Sequence, residues 1–429
     1  MADLTASQQQ LFEEWYSDQT RVEVDRDELI KKIEKEFDFA KNLGDGLSET
    51  DQIKKYTFWR NWERSRYFYP KSDNEEKKSI KKTERKIWIP KSDDDWFKLK
   101  PEVIFVQNHF PIPYVSIWGN ERIDFLINPD GLSEDYQNLR NLTSVAENLG
   151  NVGRTLRFLV RDRVTKKYLG LMTIASDYAE VKTRNDYIGW AKEQRDGGKL
   201  NNTAVGSVLV PTQPFGYNFL GGKLIALMAT SNVVADTWER LYGDKLVGVT
   251  TTSLYGQTNA GTQYTGLKPY WKSLGLTAGA TVVRTSQETE DLLRTWMKSE
   301  YPEDYWYYFE AKTPDGLPAV RSNAERARTF CYRQLGFKKK DTETKHQRGV
   351  YFSELYKNTN EFLRDEIGTD ELVRKFDNSV ESLTTYWRDK HATKRFEKLK
   401  SENRLDFEMR QYMSSLPYLS FEAALNEYF

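Results

Sequence analysis

Four short stretches of this chain carry residue types that could do chemistry. Leu220-Gly221-Gly222-Lys223 opens an apolar run that predicts a helix to Met228. The first N–H groups of a helix have no intrahelical partner and meet the positive end of its dipole, so glycines and a lysine there suit a phosphate. The same two glycines would equally let the helix pack closely on a sheet. It is not a P-loop, because GxxxxGK[ST] is absent. In RNDYIGW (184–190), followed by Arg195, Asp186 is a candidate general base or orienter of a base amino group. The plain alternative is a loop tied down by Asp186 and anchored by Trp190. Thr250-Thr251-Thr252-Ser253 predicts hydroxyls at a strand's carboxyl end, where α/β sheets usually bind ligands. Ser253, or Tyr264 further on, could carry a proton there, although threonine is also simply a strand former. The fourth stretch joins Lys338-Lys339-Lys340 to His346 and Arg348, ahead of a strand.

Composition narrows the classes. Lys plus Arg equals Asp plus Glu at 64 each, so no overall basic charge argues for nucleic-acid binding. A single cysteine, Cys331, excludes an internal disulfide framework and an all-cysteine zinc site. The three histidines (His109, His346, His391) have no metal-ligand spacing, and no metal site is expected. None lies near Ser253 in sequence, so a Ser-His-Asp arrangement has no local support. Asp93-Asp94-Asp95 is the obvious acidic run, but consecutive residues point different ways and read as a solvated loop rather than a two-metal site. No apolar run approaches the ~18 residues of a membrane span, and the start does not read as a signal peptide. The expectation is a soluble protein of a reducing compartment with no membrane partner.

The elements that must position these residues follow from hydrophobic period. Residues 11–43 read as helical, and KSDNEEKKSIKKTERK (71–86), with no periodic apolar residue, as a solvated loop or linker. VIFVQNHFPIPYVSIWG and RIDFLINP are β-rich. TLRFLVRDRVTKKYLGLMTIASD predicts a hairpin turning at Thr165-Lys166-Lys167. AVGSVLVP, KLVGVTTTSLYG and ATVVRT predict further strands, with GLKPYWKSLG a short turn or helix. The fold expected is α/β (α+β), a mixed sheet with flanking helices. The division expected along the chain is a helical, basic and aromatic extension at 1–100, an α/β core at 101–360 and a charged helical extension at 361–429.

From Lys54 to Lys100 there are 15 Lys/Arg and 8 Asp/Glu, a surplus of 15 − 8 = 7. Arg60, Arg64 and Arg66 alternate there with Tyr56, Phe58, Trp59, Trp62, Tyr67, Phe68 and Tyr69, the mix that single-stranded nucleic acid favours. Phe58, Trp62 and Tyr69 also recur at helical spacing, so a helix burying its aromatics explains the same residues without a ligand.

In their order, DYIGW, LGGKLIALMATS, WERLYGDKL, TTTSLYG, QYTGLKPYWKSLG and RGVYFSELYKNTNEFL resemble the DruA-related family, a domain of unknown function found in many phages and known from the Druantia anti-phage system. The resemblance covers about residues 154–360 and implies a phage-encoded protein, in the host cytoplasm or the virion, with DNA, RNA or other phage proteins as partners. Relatives often carry an arginine-aspartate pair before IGW, where this chain has Asn185-Asp186. The strand order is also similar to GNAT acyltransferases, including the Mom DNA-modification enzymes. That likeness implies acetyl-CoA or another acyl-CoA as cofactor, held by the strand at Val208 and Val210 and by Leu220, Gly221, Gly222 and Lys223. Gln213-Pro214-Phe215-Gly216 is only an approximate counterpart of the usual pyrophosphate loop, and proline removes an N–H donor. Two functions are therefore expected: a transferase modifying nucleic acid, with Asp186, Ser253 and Tyr264 as its catalytic groups, or a non-enzymatic module binding nucleic acid or virion proteins through residues such as Arg195 and Arg348.

Overall fold

The computed structural model describes residues 4–41, 48–71, 74–106, 131–143, 153–256, 261–282, 285–313, 323–409 and 419–428. In space the chain divides differently from the three consecutive segments expected along it. Residues 1–67, 148–152 and 280–346 form one compact unit, and 68–147, 153–279 and 347–429 form the other.

The smaller unit is mostly helical, and several of its aromatic residues, Phe12, Phe37, Phe58, Trp59 and Trp306 among them, are core. The expected helix over 11–43 is broken into Ala6–Ser17 and Arg26–Lys41. Thr5 caps the first through a capping box with Gln8. Trp15 stacks on Tyr305 at 5.9 Å, and Phe37 meets Tyr332 edge-on at 5.3 Å. Inside the unit Arg328 pairs with Glu290 at 2.6 Å, so the buried charge is compensated.

The larger unit carries a mixed sheet in the order β1-β2-β3-β4-β5-β7-β6. The strands are β1 Pro101–Val106, β2 Thr155–Asp162, β3 Tyr168–Ser176, β4 Thr203–Pro211, β5 Gly248–Ser253, β6 Lys272–Val282 and β7 Glu343–Glu354. Strand alternation sends neighbours to opposite faces. Phe158, Met172 and Leu209 enter the main core with the helices Gly221–Met228, Asn232–Tyr242 and Val380–Trp387. Leu159, Leu171 and Val208 face the other way, onto Tyr136 and Leu139 of the helix Leu132–Thr143. β2 and β3 form the expected hairpin. Its turn is held by the Asp162 carboxylate, which accepts from the Thr165 N–H and hydroxyl, with Lys166 in the left-handed region at φ 59°.

Three expectations are corrected. Asn74–Glu84 is a helix, not a loop. It lacks an apolar stripe because its inner face is polar: the Thr83 hydroxyl donates to Asp135 at 2.7 Å and Asn138 donates to Thr83 at 3.0 Å, with Ile80 on Leu142 as its apolar contact. The segment around Lys268 to Trp271 makes turns and then runs into β6, earlier than expected. The C-terminal stretch is not an appendage of charge. Trp387 is fully buried, stands edge-on to Trp96 at 6.4 Å, and donates its indole N–H to the Phe219 carbonyl at 3.1 Å. Of the β-rich stretches, β1 forms from the first, while 107–130 lie outside the described residues.

Trp387→Ala should therefore cost about 3–5 kcal/mol, the range for deleting a buried large aromatic. Denaturant unfolding followed by far-UV circular dichroism measures it; an effect below about 1 kcal/mol would mean the C-terminal helix is peripheral.

Candidate functional site

β4 and β5 are parallel neighbours for three residues only. Thr203, Ala204 and Val205 pair with Gly248, Val249 and Thr250, and beyond Val205 no further pair forms. The parting leaves β4 carbonyls facing a gap, and buried carbonyls need donors. Thr251 Oγ1 donates to the Gly206 carbonyl at 3.0 Å. Gln263 Nε2 donates to the Leu209 carbonyl at 3.1 Å and to the Tyr264 hydroxyl at 2.9 Å. Tyr264 Oη lies 3.2 Å from Thr251 Oγ1. Since Thr251 gives its proton to Gly206, Tyr264 donates to Thr251, and one directed chain runs from Gln263 through both hydroxyls to a backbone carbonyl. The Tyr264 ring sits between Trp271 at 5.1 Å and Tyr351 at 4.8 Å. Burial pushes its phenol above the ordinary range, so it stays neutral and able to donate.

The start of the helix Gly221–Met228 faces the same segment. A Cβ on Gly221 would lie 2.4 Å from the Phe215 ring, and one on Gly222 2.7 Å from Gln263 Oε1. Lys223 Nζ donates to the Thr265 carbonyl and, at 3.4 Å, to that of Gln263. Burial holds this amine down at about 8. Leu220 takes a left-handed conformation, φ 51°. Gln213-Pro214-Phe215-Gly216 is not an open loop: Gln213 Oε1 accepts from the Tyr217 N–H at 2.9 Å, and Phe215 opens the short helix Phe215–Phe219. Val208 is buried on the opposite face, with Val210 packed beside it. An acyl-CoA pyrophosphate does not fit these residues. The glycine clearance is taken by a ring and an amide, and the lysine is spent on carbonyls.

Other predicted residues do not converge on this place. Asp186 is exposed and pairs with Lys182 one helical turn away at 2.6 Å. The buried carboxylate of that region is Asp177, which sequence reading missed; it pairs with fully buried Arg184 at 2.6 Å and accepts from Thr250 Oγ1 at 2.7 Å. The Arg184 guanidinium lies over Trp190 at 5.4 Å. Arg195 donates to the Trp190 carbonyl and pairs with Glu180 at 3.0 Å. A polar residue closing an otherwise apolar strand, as Asp177 follows β3, was the available signal. Ser253 Oγ accepts from the Tyr255 N–H at 3.2 Å, closing the turn after β5. Exposed Arg348 reaches Thr252 Oγ1 at 3.3 Å, on the rim beside it.

In the helical unit, Arg60 donates to the Thr285 carbonyl and exposed Arg66 lies over Trp62 at 4.7 Å. Phe58 and Trp59 are buried. The side chains of Arg64, Tyr67, Phe68, Tyr69 and His346, and the whole of His109, lie outside the described residues. Asp95 accepts from the Lys91 and Ser92 backbone, and Asp93 pairs with Lys400 at 2.8 Å. Among the described residues no group of three metal-ligating side chains occurs, and no helix is long and apolar enough to cross a membrane.

Lys223 supplies a test of this packing. Its folded pKa of about 8 lies below the ordinary 10.5, so the unfolded chain binds more protons between those values and stability rises with pH across that window. Lys223→Met should remove that rise. Melting temperatures of both proteins from pH 7 to 10.5 measure it, and parallel curves would show an amine free in solvent.

The comparisons with known proteins agree on one family. The model of the Druantia protein DruA family matches residues 136–365. The Druantia protein DruA of Escherichia coli (strain UMEA 4076-1) is 30% identical over 243 residues, 52% of this chain and 56% of the relative. The chain thus spans about half the length of the curated relative it matches. No solved structure matches. With the family model covering more than half of its length, the chain belongs to the Druantia DruA family.

Proposed function

We propose that the sheet-bearing unit serves this defence-system family as a nucleic-acid-binding module, built on a transferase-like sheet but not using an acyl-CoA donor. One observation carries the reading. The gap where β4 and β5 part, which a donor would enter, is filled by Gln263 and Tyr264 of the chain itself, and both are bonded to the walls. A closed gap leaves the outer rim of the sheet for recognition, and there Arg348 presents a guanidinium beside Thr252. Arginine suits phosphate because its planar fork donates two parallel bonds.

A transferase reading, GNAT-like in scaffold and modifying a base, keeps one observation on its side. The directed chain from Gln263 through Tyr264 to Thr251 is a hydrogen-bonded path that places two hydroxyls where the strands part. Asp186 and Ser253 add nothing to that path, being committed to Lys182 and to the turn at Tyr255.

The two readings separate on purified protein. Under the binding reading, mass spectrometry finds no acyl-CoA carried through purification, and calorimetry with acetyl-CoA gives no heat. A fluorescent DNA oligonucleotide binds with an affinity that falls steeply with salt. Arg348→Gln lowers the slope of log K against log salt by about one. Retained acyl-CoA, or modified bases in DNA from expressing cells, would overturn the binding reading in favour of the transferase.

A further inference from the structure

We infer that a second surface of this unit, formed by the outer face of the helix Asn74–Glu84 together with the β2–β3 turn and Arg388, tracks the phosphodiester backbone of nucleic acid. The inference rests on the nucleic-acid reading above and names a surface that reading does not contain.

The helix has two unlike faces. Ser79, Ile80 and Thr83 are turned to the helix Leu132–Thr143, where Asn138 donates to both Ser79 and Thr83. Lys78, Lys81 and Lys82 recur at i, i+3 and i+4, Arg85 follows just past the helix end, and all four are exposed. Lys78 is neutralised by Glu75 at 2.6 Å, but among the described residues no carboxylate lies within 4.0 Å of Lys81, Lys82 or Arg85. Those three side chains make no ion pair among the described residues and are turned to solvent.

The cationic face continues across the sheet edge, and each step is a contact. Lys167 Nζ donates to the Arg85 carbonyl at 2.6 Å, and the Tyr168 N–H donates to the Lys86 carbonyl, tying the helix to the β2–β3 turn. In that turn the exposed Arg163 gives its backbone N–H to the Lys100 carbonyl and has no carboxylate partner among the described residues. One residue before Lys100, Leu99 accepts from Arg388 at 2.9 Å, and the same guanidinium lies over Phe97 at 5.2 Å. Phe97 is 56% exposed, an unusual place for a large aromatic ring.

Three acidic groups of this region are already committed to other partners. Glu102 is shared by Arg161 at 2.7 Å and Lys166 at 3.2 Å, and Asp162 accepts from the Lys100 N–H and from Thr165. Asp135 is buried against Lys86 at 2.6 Å and also accepts from Thr83 and Tyr168. The exposed cations Lys81, Lys82, Arg85 and Arg163, with half-buried Arg388 and its ring at the end of the row, outnumber the nearby Glu84 and Glu134. Cations spaced by one helical turn neutralise successive phosphates. An exposed ring under a guanidinium offers a stacking platform to an unpaired base.

The test uses the full chain and a fluorescein-labelled 30-nucleotide DNA, single-stranded and as a duplex, from 50 to 300 mM salt. Lys81→Gln, Lys82→Gln and Arg85→Gln together should weaken binding at least tenfold at 50 mM salt. The slope of log K against log salt should fall by about two to three, one counterion per phosphate released. All three side chains are exposed, so the melting temperature should not move. Phe97→Ala should weaken single-stranded binding more than duplex binding. Wild-type affinity and slope in the triple variant, with Arg348→Gln still defective, would overturn this surface while leaving the nucleic-acid reading intact. No DNA binding by the wild-type chain would overturn both. Binding to vesicles of phosphatidylserine and phosphatidylcholine, with none to DNA, would reassign the surface to an anionic membrane.

Discussion

The larger unit depends on how its sheet survives the separation of β4 from β5. A parallel pair that stops after three residues exposes backbone acceptors in the middle of a buried layer, and such groups cost free energy unless paired. The solution uses side chains in place of a strand. Thr251 reaches across to Gly206, and Gln263 reaches back to Leu209. The Gln263 bond anchors the segment from Thr262 to Trp271, which lies against the start of the helix Gly221–Met228. A Cβ on Gly222 would press on the end of the Gln263 side chain there, and Lys223 finds carbonyls to hold. Trp271 completes the seal by donating to the Ala226 carbonyl at 2.9 Å.

Beside this seam sits a buried ion pair. Asp177 and Arg184 are both fully shielded from solvent, yet neither is left with an unpaired charge, because Thr250 donates to the carboxylate and the Tyr178 carbonyl and Asn185 accept from the guanidinium. Thr250 is the last β5 residue paired with β4. Three consecutive threonines of that strand thus do different things: Thr250 satisfies a buried charge, Thr251 bridges the gap, and Thr252 meets Arg348 on the rim. In the sequence their hydroxyls mark a strand end where ligands usually bind; in the fold they do three separate things.

The strands were largely legible because they are short apolar runs bounded by turn residues, β3 being buried along nearly its whole length, and hairpin chemistry at Asp162 to Lys167 is local. The family was legible from motif order. What could not be read were features that depend on a partner far away in sequence. The helix Asn74–Glu84 presents no apolar stripe because its inner face is bonded to Asp135 and Asn138 some fifty residues on. The glycines at 221 and 222 look like a phosphate cradle until Phe215 and Gln263 are placed against them. Asp186 stands in a suggestive motif, while the carboxylate that matters in the interior, Asp177, stands outside it. Arg60 and Arg66 stand out by alternation with aromatics, whose burial belongs to helix packing in the other unit.

The burial of Trp387 bears on how this protein is made. Its ring packs against Trp96 and Phe215, and the ribosome adds Phe215 more than 170 residues earlier. Between them, residues 280–346 belong to the other unit, so the sheet-bearing unit is interrupted during its own synthesis. At the usual pace of translation that leaves its apolar face open for about ten to thirty seconds. During that interval the nascent chain exposes a cluster of aromatic rings without their cover, which is the condition in which chaperones engage a chain and in which premature termination is most damaging.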